Sequence, residues 1–158
     1  MLLLLLHRAL AIAPDYPDAL ANLGMVQLGL GRLDEAEAAQ RRALKVQPRH
    51  VDALRHWAGV MRRRGHVDEA LRACQDAMAI APNRFAVLDL YGDCLTAAKR
   101  LSHAAKIYQS ALRVRPAAVV TRRKLADVLT DLGESDAGRG TVAVISREPS
   151  SGRRRHVE

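Results

Sequence analysis

Among the side chains that could ligate a metal or move a proton are His7, His50, His56, His66 and His103, with Cys74 and Cys94 as the two thiols. A zinc site carried on a helix needs ligands about one turn apart, and these histidines form no such pair. The cysteines lack zinc-site spacing and are too few for a disulfide framework, so they read as ordinary thiols in a reducing, cytoplasmic compartment. Both fall in apolar registers, where a cysteine behaves as a small buried hydrophobe. No serine or cysteine has an identifiable base partner. The parts of an active site are therefore not assembled, and no catalytic residue, metal or cofactor is expected.

The other chemistry on offer is positive charge. A formal charge of +8 and a pI near 10.3 draw acidic partners, and Arg62-Arg63-Arg64, Arg122-Arg123-Lys124 and Arg153-Arg154-Arg155 could contact phosphates. Aromatic residues are only 3% of the chain, however, so the platforms that stack single-stranded bases are nearly absent. Nucleic-acid binding is accordingly the weaker reading. The opening run Leu2 to Leu6 has no preceding basic residue and is broken by His7-Arg8, far short of the ~20 apolar residues of a membrane span. A membrane-spanning segment is not expected.

The elements that would position these residues follow from internal repetition. Pro14, Pro48, Pro82 and Pro116 recur with a period of about 34 residues, and Ala9, Ala43, Ala77 and Ala111 keep the same step. Ala36, Ala70 and Ala104 form another register, and Leu20, Leu54 and Leu88 a further one. Within a unit, apolar residues recur at three and four: Leu20, Leu23, Val26 and Leu30, then, after Gly31, Leu33, Ala36, Ala43, Leu44 and Val46. Gly31 and Gly65 stand where the chain reverses, Asp34-Glu35 and Asp68-Glu69 open the next helix with favourable charge, and each proline stops the second helix. A core poor in rings and rich in Ala, Leu and Val has to be closely packed.

On these residues the unit resembles the tetratricopeptide repeat. The small pair of its first helix is represented by Leu23-Gly24, Trp57-Ala58, Tyr91-Gly92 and Leu125-Ala126, and the close-packing alanines of its second helix by the two registers above. Departures fall at Gln27, Gln40 and Lys99, where the family usually carries aromatics or glycine. The resemblance implies an all-α, right-handed superhelix of antiparallel hairpins with about seven helices. The expected organisation is a truncated repeat at 1–16 consisting of a second helix only, repeats at 17–50, 51–84 and 85–118, the first helix of a fourth at 119–133, and a degenerate helix or disordered basic tail at 134–158.

Stacked hairpins of this kind curve to form an extended concave face, which in the family is lined by first helices. The first-helix positions not spent on the core supply the candidate groove: Asn22, Met25 and Leu28, then Arg55, His56 and Arg62, then Asp89 and Asp93, then Arg123, Lys124 and Asp127. An apolar anchor near Met25 and Leu28 and an acidic group near Arg55 and Arg62 describe the expected ligand. Arg55, Asp89 and Arg123 share one slot in consecutive units, so they either meet that ligand or pair with one another as a ladder of ion pairs. The lysine and asparagine set with which some family members clamp a chaperone's terminal carboxylate is incomplete, because Gly59, Leu90 and Val120 occupy its slots. The function that the resemblance implies is a non-catalytic scaffold for a protein or peptide partner, with self-association through exposed terminal helices as a further expectation. The alternatives are the docking part of a larger glycosyltransferase or sulfotransferase and, more weakly, a basic nucleic-acid-binding repeat.

Overall fold

Proline and glycine decide where the helices of this chain begin and end. In the computed structural model, which describes residues 1–133, α1 spans Leu2–Ile12, α2 Pro17–Gly29, α3 Leu33–Val46, α4 Val51–Arg63, α5 Val67–Ile80, α6 Phe85–Ala97, α7 Leu101–Val114 and α8 Val119–Asp131. The described residues thus hold eight helices, against the about seven expected, and eight is the number that one second helix, three hairpins and one first helix make. Pro14, Pro48, Pro82 and Pro116 each stand just beyond the end of α1, α3, α5 and α7, where a missing N–H ends the helical ladder. The expected tail at 134–158 lies outside the described residues. No described helix is long and apolar enough to cross a membrane.

Helices α2 and α3, α4 and α5, and α6 and α7 form antiparallel hairpins, and each second helix also packs on the first helix of the next hairpin. The turn inside each hairpin needs a left-handed residue. Gly31 and Gly65 supply it with φ of 76° and 81°, and Gly133 repeats it after α8 at 74°. In the third hairpin the same place is held by Lys99 at φ 59°, a conformation in which a Cβ is crowded against the following carbonyl. The lysine at this position is thus accommodated by backbone strain, with the turn kept.

Small side chains set the distance between paired helices. Ala36 and Ala43, Ala70 and Ala77, and Ala104 and Ala111 are all wholly buried. Opposite them, a Cβ built on Gly24 would lie 2.1 Å from Gln40 Nε2, and one on Gly92 would lie 2.3 Å from Tyr108 Cε1. The middle hairpin fills the equivalent place with Ala58 and Cys74, both buried. Gln40 therefore replaces an aromatic ring without opening the hairpin, and its amide donates to the Ala21 carbonyl at 2.9 Å. A polar link repeats between hairpins: Asp18 of α2 accepts from His50 Nε2 at 2.8 Å, and Asp52 of α4 accepts two bonds from Arg84 at 2.8 Å. His50 meanwhile caps α4, its Nδ1 accepting from the Ala53 N–H at 3.1 Å. At the other end of the array, Leu6 of α1 is buried and Leu10 packs against Leu20 and Ala21, while Leu2, Leu4 and Leu5 are exposed.

Two substitutions test this packing by chemical denaturation. Lys99→Gly removes a left-handed strain at an exposed site and is expected to stabilise the chain by about 1 kcal/mol. Gly92→Ala drives a methyl into the Tyr108 ring and is expected to cost about 1–3 kcal/mol.

Candidate functional site

Because the first helices follow one another along one side of the stack, α2 touching α4 and α4 touching α6, their free faces form a continuous surface. Two depressions lie along it. One, of about 380 Å³, is bounded by Leu28 of α2, Arg55, His56, Gly59, Arg62 and Arg63 of α4, Phe85, Asp89 and Asp93 of α6, and Arg115. The other, of about 500 Å³, continues from Arg62 and Asp93 past Thr96, Lys99 and Tyr108 to Lys124, Asp127 and Asp131 of α8. Arg62 and Asp93 belong to both, so the depressions form a groove crossing α4, α6 and α8.

Of the residues expected from the sequence, the groove brings together Leu28, Arg55, His56, Arg62, Asp89, Asp93, Lys124 and Asp127. Asn22 and Met25 are exposed on α2 outside both depressions, and Arg123 is exposed on α8. The ladder of Arg55, Asp89 and Arg123 is not formed. Asp89 accepts instead from Lys124 Nζ at 2.8 Å and from the Thr121 hydroxyl at 2.7 Å, because the helical rotation aims Lys124 inward and leaves Arg123 in solvent. Arg55 turns to Asp52 on its own helix, 3.4 Å away.

The acidic side of the groove is a compact network. Lys124 Nζ lies 2.8 Å from both Asp89 and Asp93, and Tyr108 donates its hydroxyl to Asp93 at 2.7 Å. Burial alone would lower the Lys124 pKa, but the two carboxylates outweigh it and hold the ammonium firmly charged. Burial together with the bond to Asp93 pushes the Tyr108 phenol well up, so it remains a donor. Phe85 and Arg115 join the basic side as a stacked pair, the guanidinium 4.2 Å from the ring centroid. Sequence reasoning passed over this pair. Its signal was available: Phe85 opens α6 and Arg115 closes α7, and the two ends of an antiparallel hairpin must meet.

Each cation on the groove's basic side is engaged, with one exception. Arg55 reaches Asp52 and the Nε2 of His56, Arg63 donates to the Leu28 carbonyl, and Arg115 covers Phe85. Arg62, half-buried at the junction of the two depressions, has no salt bridge among the described residues, and its Nε is buried without a hydrogen-bond partner. An unpaired guanidinium fixed in a groove is what an incoming carboxylate completes.

His56 behaves differently from a titrating surface histidine. It is only 4% exposed, and burial first, then the adjacent Arg55 guanidinium, depress its pKa to about 4. The imidazole is neutral at physiological pH, which lets Nε2 accept from Arg55. As pH falls below the ordinary histidine value of ~6.5, the unfolded chain takes up a proton that the folded chain refuses until about pH 4. Stability is therefore expected to be full above about pH 6.5 and to fall by about 2–3 kcal/mol between there and about pH 4. The variant His56→Gln, followed by urea denaturation across that range, should show a flatter profile.

Comparisons with known proteins agree with this geometry. Residues 3–57 match the family model described as tetratricopeptide repeat. No curated protein sequence matches the chain. Among solved structures, MamA from Desulfovibrio magneticus RS-1 is similar at TM-score 0.78 and 18% identity, covering 90% of this chain and 81% of that one. TTC0263, a thermophilic TPR protein of Thermus thermophilus, is similar at TM-score 0.76 and 22% identity, covering 90% and 79%. YrrB, described as a TPR protein with an unusual peptide-binding site, is similar at TM-score 0.76 and 16% identity, covering 89% and 73%.

Proposed function

We propose that this chain, which matches the tetratricopeptide-repeat model over residues 3–57 and shares its fold with tetratricopeptide arrays over most of its length, is a non-catalytic scaffold that binds a protein or peptide segment along its concave groove. The repeats would run 17–50, 51–84 and 85–118, with the groove crossing the second, the third and α8 and bordered by Leu28 of the first. The observation that carries the reading is Arg62, a half-buried guanidinium without a counter-ion among the described residues, set where two depressions merge. The stacked-hairpin fold offers the extended concave surface that such arrays use for binding, and YrrB, an array of similar shape, has a peptide-binding site.

The geometry narrows the ligand to a segment with an acidic group over Arg62. Arg55 is less suited to that contact than the sequence suggests, because Asp52 and His56 already engage it. Toward α8 the exposed carboxylates of Asp127 and Asp131 line the rim, so a basic residue further along the same segment would meet opposite charge. The hydrophobic contact comes from Leu28 and Phe85 on the floor, with Met25 lying outside the groove.

The test uses peptides selected on the full chain from a random library and titrated by calorimetry. Selected peptides are expected to carry Asp, Glu or a terminal carboxylate, and Arg62→Glu should weaken them at least about tenfold, the loss of one charge-assisted bond plus a new repulsion. Arg123→Glu, on the exposed flank of α8, should leave affinity within about twofold. Selection of peptides without an acidic group, or equal loss from both variants, would overturn the assignment.

A further inference from the structure

The two cysteines of this chain are separated by 20 residues in sequence, yet their sulfurs lie 3.9 Å apart. Cys74 projects from α5 of the second hairpin and Cys94 from α6 of the third, and the two are 1% and 0% exposed. They meet where one hairpin packs on the next, beneath the part of the groove lined by Arg62 and Asp93. Their neighbours in this part of the core are apolar, Ala70, Ala73 and Leu95 among them.

We propose that Cys74 and Cys94 are an oxidisable pair, which hydrogen peroxide converts into an intramolecular disulfide that staples α5 to α6. The chemistry starts at Cys94. Cys74 donates its S–H to the Cys94 sulfur, and that hydrogen bond, with help from the nearby Arg62 charge, holds the Cys94 thiol below its ordinary range against the opposing effect of burial. The Cys74 thiol is pushed up by the same bond and by burial. The Cys94 thiolate attacks one peroxide oxygen, the O–O bond breaks, and the departing hydroxide takes up the proton that Cys94 released, leaving a sulfenic acid and one water. The Cys74 sulfur then attacks Cys94, the S–O bond breaks, and hydroxide leaves with the Cys74 proton as a second water. Two thiols and one peroxide become one disulfide and two waters, the sulfurs giving up the two electrons that reduce the peroxide.

Burial selects the oxidant. A peroxide little larger than water reaches this interface through small fluctuations, whereas a bulky disulfide reagent requires the hairpins to part. Proximity selects the product, because the nearest nucleophile to a sulfenic acid at Cys94 is the sulfur 3.9 Å away. Closing that gap to the ~2.05 Å of a disulfide asks for side-chain rotation and a slight tightening of the α5–α6 contact. Such a staple would fix the angle between the second and third hairpins, and with it the spacing of Arg62 from Asp93 across the groove.

The experiment treats the full folded chain with hydrogen peroxide, blocks remaining thiols by alkylation in denaturant, and maps peptides without reduction. The expected result is a monomer in which both thiols disappear together into one cross-linked peptide pair, restored by dithiothreitol, with Tm raised by roughly 5–10 °C in the oxidised form. In Cys74→Ala and in Cys94→Ala the remaining thiol has no partner, so peroxide should yield no cross-linked peptide pair and no rise in Tm. Folding of each variant is checked by circular dichroism, and the wild-type cross-link decides the question by itself. Thiols that remain alkylatable while the methionines oxidise, a disulfide between chains, or sulfinic acid at Cys94 beside a free Cys74 would each overturn the proposal. None of these readouts depends on a groove ligand.

Discussion

Two helices of each hairpin approach so closely that glycine or alanine must stand at the crossing, and the rest of the molecule follows from that distance. Ala36, Ala70 and Ala104, with Ala43, Ala77 and Ala111 about two turns later, are wholly buried along the second helices, and Gly24 and Gly92 leave no room for a methyl group. Hairpins this thin can stack with each second helix wedged against the next first helix, which turns the first helices toward a common face. The concave groove is thus a by-product of small-residue packing. It needs no residue of its own to form, and its surface positions are free to vary in chemistry.

Charge within the groove is resolved locally wherever a partner is in reach. Asp89 and Asp93 share Lys124, Asp93 also takes the Tyr108 proton donor, and Asp52 binds Arg84 across hairpins even though burial works against its ionised form, so that its pKa stays below the usual value. Half-buried groups gain more from such pairing than surface pairs do, because water screens them less. The exception then carries information. Among the described residues Arg62 makes no salt bridge, while the other cations beside it have found partners, and it sits at the point where a segment lying in the groove would pass.

The repeat was legible because its constraints are local. Proline stops, left-handed turns and alanine registers are each written at a fixed step, and Lys99 could be placed by that step although its residue type argues against a tight turn. The groove was legible as a stripe but not as a set of contacts. Arg123 and Lys124 are neighbours in sequence and differ by about 100° around the helix, so register alone could not say which would reach Asp89. Met25 and Asn22 share the stripe's spacing yet fall outside the depressions, since curvature begins to enclose the surface only at α4. The meeting of Cys74 with Cys94 was invisible for the same reason: each occupies a core register, and only the stacking of successive hairpins places the two sulfurs together.

Whether the first-helix face holds the partner is tested most directly by an amide and methyl NMR shift map of the full chain, titrated with a peptide selected on it. The largest changes are expected on α4, α6 and the inward face of α8, centred on the Arg62 side chain, with α3, α5 and α7 unmoved on their outer faces. Changes confined to those outer faces, or to the exposed leucines of α1, would contradict a groove-bound partner.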